Sequence, residues 1–362
     1  MKTLDIWRTL TRSRLFWPIV TLIALAILNV AVAPNFFSIQ VKDGHLFGSI
    51  IDILRNGAPT ILVALGMTLV IATRGIDLSV GAVVAISGAL ACTIIADAPD
   101  GNNPATVLFA VAVSILFSLV LGSWNGLLVS VFGIQPIIAT LILMTAGRGI
   151  AMLITEGQII TVSSAPYKVI GAGYWFGLPA SIVIAAAMFV IAALLTRRTA
   201  LGLLIESVGI NPEASRLAGI RSRGIVWTVY IFSAVCAAIA GLMISSNVTA
   251  ADANSAGLYI EMDAILAVVI GGTSLAGGRY SLTGSLIGAF VIQTLTTTVY
   301  TIGIAAEITL VFKALVVIAV CLLQSPVVQA RMHRRKAAPP LPPAPSGTIS
   351  TPVPATTAGA AS

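Results

Sequence analysis

The sequence predicts an all-α, polytopic membrane protein, and three observations carry that prediction. Hydrophobic residues make up 57% of the chain and charged residues 9%, against about a quarter charged in a soluble domain. Several apolar stretches approach the roughly 20 residues that a helix needs to cross a bilayer. The basic residues sort to one side of the spans that those stretches define. Period-two alternation of polar and apolar residues is absent, which argues against an outer-membrane barrel.

The spans read in order as 15–34, 57–73, 78–96, 105–132, 136–155, 179–196, 224–246, 262–277, 282–303 and 307–325, about ten transmembrane helices. The first ends in Ala31-Val32-Ala33, like a signal-peptide core. It is long for one, and Pro34 stands at the would-be cleavage junction, so it is read as a retained span. Between the second and third lies the charged turn Arg74-Gly75-Ile76-Asp77-Leu78-Ser79. A weak echo of it, Gly272-Thr273-Ser274-Leu275-Ala276, lies at the end of the eighth. Ser118, Gly122 and Gly126 recur at a spacing of four, as do Gly284 and Gly288; such small-residue faces let helices approach closely within one subunit. Two spans look irregular: 136–155 contains Gly147-Arg148-Gly149, and 262–277 is short and ends in glycines. Broken helices are tolerated at membrane depth only beside protein or a water-filled cavity, so both are expected to line a pathway.

Ten spans place both termini on one side. That side collects Lys2, Arg8, Arg12 and Arg14, five arginines between 197 and 223, Arg331, Arg334, Arg335 and Lys336, together with Arg74 and Arg279. These are 15 of the 20 Lys and Arg residues, which makes the side cytoplasmic. The opposite loops carry Asp43, Asp97, Asp100, Glu156 and Asp252. The expected organisation is a cytoplasmic segment 1–14, a transmembrane domain 15–325 with a cytoplasmic loop 197–223, and a tail 326–362. The tail is basic, then rich in Pro, Ala, Ser and Thr, and is expected to be disordered.

The sequence excludes several chemistries. Cys92, Cys236 and Cys321 lie in apolar surroundings without CxxC spacing, and His45 and His333 are isolated, so no metal site is expected. No lysine follows a glycine, which rules out a phosphate-binding loop of the GxxxxGK[ST] type. No GxSxG elbow and no paired carboxylates point to an enzyme. An ATP-driven process would therefore take its ATPase from another chain. The net charge of +7 is spread by membrane side rather than gathered into a nucleic-acid patch.

The long polar island RRTALGLLIESVGINPEASRLAGIRSR, 197–223, holds a compact helix signal: Asn211 to cap, Pro212 at the first position, Glu213 in the first turn and Gly219 as the stop. It reads as a docking knob. Asp77 marks either a turn near a gate, capping the next helix, or only a tight interhelical turn. Arg148 either contacts substrate hydroxyls, pairs with Glu261 or Asp263, or snorkels to the outer interface. Asn125 and Gln135 face a pathway or simply satisfy neighbouring backbone. Asp252, Asn254, Glu261 and Asp263 flank the short span at the outer face. They suit the hydroxyls of a neutral sugar, the docking of an extracytoplasmic binding protein, or a merely solvated loop.

The runs GMTLVIATRGIDLSVGAVVAISGA (66–89), TLILMTAGRGIAMLITEGQIIT (140–161) and EMDAILAVVIGGTSLAGG (261–278) resemble the permease subunits of bacterial ABC sugar importers of the ribose/xylose/galactose type. The resemblance covers about residues 15–325. DGHLFGSIIDILRNGAPT (43–60) and ADANSAGLYIEMDAILAV (251–268) resemble the galactofuranose branch. The resemblance implies a ten-helix, vitamin-B12-importer-like (type II) permease of the bacterial inner membrane. It further implies a second permease subunit, the same or different, a cytoplasmic ABC ATPase that binds ATP and Mg, a periplasmic sugar-binding protein and a monosaccharide substrate. No cofactor is expected in this chain itself. Residues 206–220 match the family's coupling segment, which assigns ATPase coupling to Glu206, Gly209, Asn211, Pro212, Glu213, Ala214, Arg216, Ala218 and Gly219. Asn56, Asp77, Asn125, Gln135, Arg148, Glu261 and Asp263 are the expected pathway or gate residues. The alternatives are a permease of the related branched-chain amino acid importers and a secondary transporter or channel working alone.

Overall fold

The computed structural model describes residues 15–33, 35–42, 44–303 and 306–324. The expectations for 1–14, for Pro34 and Asp43, and for the basic, Pro/Ala-rich tail lie outside the described residues. Thirteen helices are described: α1 Phe16–Val32, α2 Ser49–Ala72, α3 Val80–Ala96, α4 Pro104–Ser130, α5 Pro136–Ile154, α6 Ala165–Ala172, α7 Ala180–Arg198, α8 Leu201–Ile210, α9 Pro212–Leu217, α10 Ser222–Val248, α11 Ile260–Ile270, α12 Leu282–Ile302 and α13 Ala306–Gln324. Three short antiparallel pairs sit in the connections: β1 Gln40–Lys42 with β2 His45–Phe47, β3 Ile160–Thr161 with β6 Ala250–Ala251, and β4 Tyr174–Trp175 with β5 Leu178–Pro179.

Each of the ten expected spans falls on a helix, and six of the described helices are long and apolar enough to cross a membrane: α2, α4, α5, α7, α10 and α12. Helices α1 and α3 are shorter, at 17 residues each. The expected boundaries move where polarity misleads. Helix α2 starts at Ser49 rather than 57, because Asp52, Arg55 and Asn56 interrupt the hydropathy and not the backbone. Helix α11 stops at Ile270 rather than 277, since Gly272 takes a left-handed φ of +81° that ends it. The expected break at Gly147-Arg148-Gly149 does not occur. Helix α5 runs through it unbroken, and Gly147 serves packing instead: a Cβ there would lie 2.9 Å from the Cβ of Ala82 on α3.

Helix α2 is the centre of the bundle. Of its apolar stretch 83% is buried, against 28% for α5 and for α7, which form the rim. Helices α10, α12, α11 and α7 pack around α2, and α10 also lies along α3 and α4. The two small-residue faces set these distances. A Cβ on Gly122 would lie 2.6 Å from that of Ala234 on α10, and one on Gly288 would strike the carbonyl of Ala267 on α11. Hydrogen bonds join the helices at depth: Asn29 on α1 donates to Thr298 on α12 (2.6 Å), and Thr68 on α2 donates to Ser285 on α12 (2.7 Å).

Candidate coupling and translocation site

The polar island folds as two short helices. Asn211 ends α8 and caps α9, accepting hydrogen bonds at Oδ1 from the backbone N–H groups of Glu213 and Ala214, both at 3.0 Å. At the other end Gly219 takes a φ of +85°. The N–H of Ile220 there donates to the Ser215 carbonyl at 2.9 Å. The expected 211–219 helix is therefore present as Pro212–Leu217 with both caps. Asn211, Pro212, Glu213, Ala214, Arg216, Ala218 and Gly219 are exposed, and Glu213 pairs with Arg216 at 3.0 Å. Glu206, on α8, is half-buried and lines a cleft with Tyr280, Arg197 and Thr196.

Gly209 fixes this knob to the bundle. It is buried, and a Cβ there would strike the Ala72 carbonyl and lie 2.5 Å from the backbone nitrogen of Gly278. Arg74 closes the junction. Its Nε donates to the Gly209 carbonyl at 2.6 Å and its guanidinium also donates to the Ile210 carbonyl, the last two residues of α8. A cation on the final carbonyls of a helix satisfies orphan acceptors and opposes the negative end of the dipole. The Gly278 N–H donates to the Ala72 carbonyl at 2.8 Å, and Gly277, at φ +83°, leaves room for the Arg74 stem. The two turns with the weak sequence echo, 73–79 and 271–281, thus meet at the end of α8.

From that junction the 73–79 segment runs inward. The Asp77 carboxylate is buried and accepts from the Ser79 N–H (3.1 Å), the Ser79 hydroxyl (2.6 Å) and the Ser233 hydroxyl (2.9 Å). Asn125 donates to the Ser79 hydroxyl oxygen at 2.8 Å. Ser233 lies eleven residues into α10, roughly 16 Å along the helix. The network is therefore deep in the bundle. Asp77 does not itself cap α3; Ser79 precedes the helix and Asp77 holds Ser79. Among the described residues, Asn125 Oδ1 and the Tyr230 hydroxyl are buried without a hydrogen-bond partner in this neighbourhood.

The 249–259 connection also folds inward, so that Gly257 and Glu261 pack on Gly81 at the start of α3. Glu261 is buried, 6% exposed, with Oε2 unpartnered. It is not a solvated loop charge. Arg148 pairs with neither Glu261 nor Asp263. It donates instead to the carbonyls of Ala253 (3.1 Å) and Ala256 (2.6 Å), pinning this connection to α5. Asp263 pairs with Lys313 on α13 at 2.8 Å. The Ser255 side chain, with help from the Asn254 N–H, holds the Asp252 carboxyl below its ordinary value. Asn254 is exposed. Gln135 stands apart from these residues, exposed on the turn between α4 and α5.

Residues 49–321 match the family described as branched-chain amino acid transport system / permease component. The chain belongs to this permease family. It is 48% identical to the galactofuranose transporter permease protein YtfT of Escherichia coli K12 over 88% of this chain and 93% of that one. The fructose import permease protein FruF of Bifidobacterium longum is 42% identical, with 91% and 94% covered. The ribose import permease protein RbsC of Haemophilus influenzae is 35% identical, with 87% and 93% covered. No solved structure matches the chain. Helices α2 to α12, and with them all the residues above except the Lys313 partner on α13, lie within 49–302 of the matched region.

The permease thus gathers its expected residues into separate groups. Asp77 and Asn125 share one network, while Arg148 and Glu261 share the inward-folded connection. Asn56 lies in a cleft with Asp52 and Gln293. Sequence reading missed Arg74 as a clamp on the end of α8, because its partners are backbone carbonyls 135 and 136 positions away. It also missed Gln293, although Gln293, Thr297 and Thr301 recur at a helical spacing of four in the threonine-rich second half of α12.

Proposed function

We propose that this chain is the membrane-spanning permease subunit of an ATP-driven importer that carries a monosaccharide across the bacterial inner membrane. The observation that carries the reading is similarity over nearly the whole chain to three permeases whose names specify galactofuranose, fructose and ribose. Galactofuranose or a related pentose or hexose is the cargo. The chain crosses the membrane about ten times, in the vitamin-B12-importer-like arrangement, with both termini cytoplasmic. It works with a second permease, a periplasmic sugar-binding protein and a cytoplasmic ABC ATPase that binds ATP and Mg.

In this reading the ATPase grips the exposed face of α9, with Ala214, Arg216 and Ala218 in the contact. Its motion passes along α8 to Gly209, where Arg74 hands it to the 73–79 and 271–281 turns. Moving a conformational equilibrium by two decades each way requires about 5.5 kcal/mol of differential interaction, which a slack loop cannot transmit. The two caps of α9 and the backbone contacts of Gly209 supply the needed stiffness. Asp77, Asn125, Arg148 and Glu261 hold the two irregular connections whose rearrangement opens and closes the path.

The test is transport by the assembled importer in proteoliposomes, with galactofuranose, fructose, ribose and leucine as cargo. ATP-dependent accumulation of one of the sugars is expected. Accumulation of leucine alone would favour the branched-chain amino acid reading. Uptake by this chain without any ATPase would mark a secondary transporter.

A further inference from the structure

Helix α2 is buried from Gly57 onward, and reaches the surface only in its first two turns, where it shows Asp52 and Asn56. Beside them runs the outward face of α12. Along that face the side chains change character: Leu286 and Phe290 come first, then Gln293, Thr297, Tyr300 and Thr301. Asp52, Asn56, Gln293, Thr297 and Tyr300 line a cleft of about 460 Å³ that is open on one side of the protomer. That volume falls within the range of small-molecule sites. Among the described residues, the side chains of these five make no hydrogen bond to another protein group; the sixth lining residue, Thr301, donates its hydroxyl to the Thr297 carbonyl at 2.8 Å.

Such a face does not suit lipid. Gln293 lies nine residues before the end of α12 at Ile302, roughly 14 Å along the helix, too deep for a short amide to reach the interface. A polar group in hydrocarbon without a partner is costly, so such groups face a water-filled cavity or another protein. The chemistry is specific in kind. A carboxylate, two amides, a hydroxyl and a phenol ring offer both donors and acceptors with little charge, as a polyhydroxylated ring requires. An aromatic face beside them suits the apolar face of such a ring. Next along the groove, Leu286 and Phe290 line an apolar recess with Leu54, Ile61 and Phe189, which offers a sugar nothing to bond.

We propose that this cleft is the sugar's resting place in the outer half of the translocation path, closed on its open side by the second permease subunit, with the apolar recess at Leu286 and Phe290 as the barrier below it. The inference rests on the importer reading above and deepens it.

Two measurements on the complete importer in proteoliposomes test it. The first compares Gln293→Leu and Asn56→Leu with the unmodified complex, using the sugar that the unmodified complex accumulates best. Each change removes hydrogen bonds that the protein itself does not use, so uptake falls about tenfold with the permease assembled in normal amounts. Gln293→Asn restores most of the uptake. Unchanged uptake in both leucine variants overturns the proposal. The second uses Thr297→Cys and a membrane-impermeant thiol reagent, with reaction of the unmodified chain subtracted. Rapid labelling that slows when sugar-loaded binding protein is added is expected, and labelling only by a lipid-soluble maleimide places the face in lipid and overturns the proposal. Labelling needs no knowledge of the cargo. If the unmodified importer carries no sugar, the function reading fails, and the Thr297 result still decides whether the cleft is aqueous.

Discussion

The junction at Arg74 and the cleft at Gln293 are both polar regions in an apolar bundle, and they are built in opposite ways. At the junction every contact is made within the chain. Backbone meets backbone at Ala72, Gly209 and Gly278, and the one long side chain is spent on two carbonyls. In the cleft the side chains of Asp52, Asn56, Gln293, Thr297 and Tyr300 have no such partners and stand open. On the proposed function, the difference separates two tasks. A lever must be satisfied internally, or it bends before it transmits. A transient binding surface must be left unsatisfied, or its own protein competes with the cargo.

The largest effect is expected where the proposed lever would meet the partner ATPase. Ala214→Arg or Ala218→Arg puts a bulky cation on the exposed face of α9 without touching the Asn211 or Gly219 caps. Sugar-stimulated ATP hydrolysis in the assembled complex should be lost, with normal amounts of permease in the membrane. Undiminished stimulation would remove α9 from the coupling route. Next comes the fulcrum. Gly209→Val drives a branched side chain into the Ala72 carbonyl and the Gly278 nitrogen, an overpacking that costs about 1–3 kcal/mol. A lower melting temperature of the detergent-purified chain and poor transport should appear together. A valine tolerated without loss would mean that the junction is looser than its contacts imply.

Arg74→Gln probes the same junction more gently. The amide cannot reproduce two charge-assisted donations to successive carbonyls, and losing such bonds weakens coupling by about tenfold. ATP hydrolysis should persist with less sugar moved per ATP. A proportional fall of both rates would make Arg74 a folding residue rather than part of the lever.

How far these regions were legible in the sequence follows from the same contrast. The α9 knob was readable because its caps are local: Asn211, Pro212 and Gly219 act on neighbours within four residues. The helical segments were readable because hydropathy is local too, although the polar first turns of α2 hid its true start. Arg74 was legible as a charge in a turn and not as a clamp, since nothing near position 74 announces position 209. Arg148 and Glu261 were read as potential partners because opposite charges at membrane depth attract. The chain instead folds the 249–259 connection inward and gives the arginine two carbonyls. The continuity of α5 through Gly147-Arg148-Gly149 has a similar cause. A glycine whose purpose is close contact with Ala82 reads, in sequence, like a glycine that ends a helix.

The smallest effect on stability is expected in the cleft, and it is the sharpest test of the contrast. Thr297→Val is nearly isosteric and removes one hydroxyl from a half-buried position. If that hydroxyl supports the fold, its loss lowers the melting temperature by several degrees, as at a buried hydrogen-bonded site. If it serves only passing cargo, stability changes by no more than about 0.5 kcal/mol, while the half-saturating concentration of sugar-loaded binding protein and the maximal uptake rate shift by a few-fold. The buried Thr298 is the internal control one position away, because its hydroxyl accepts from Asn29 at 2.6 Å and donates to the Thr294 carbonyl at 2.7 Å. Thr298→Val takes from the buried Asn29 amide its only bond to α12, leaving it the Leu25 carbonyl of its own helix, and should lower stability with little change in the sugar dependence of whatever complex survives. The two adjacent threonines are expected to fail in different assays, and a common loss of stability in both would end the distinction between a satisfied scaffold and an open cleft.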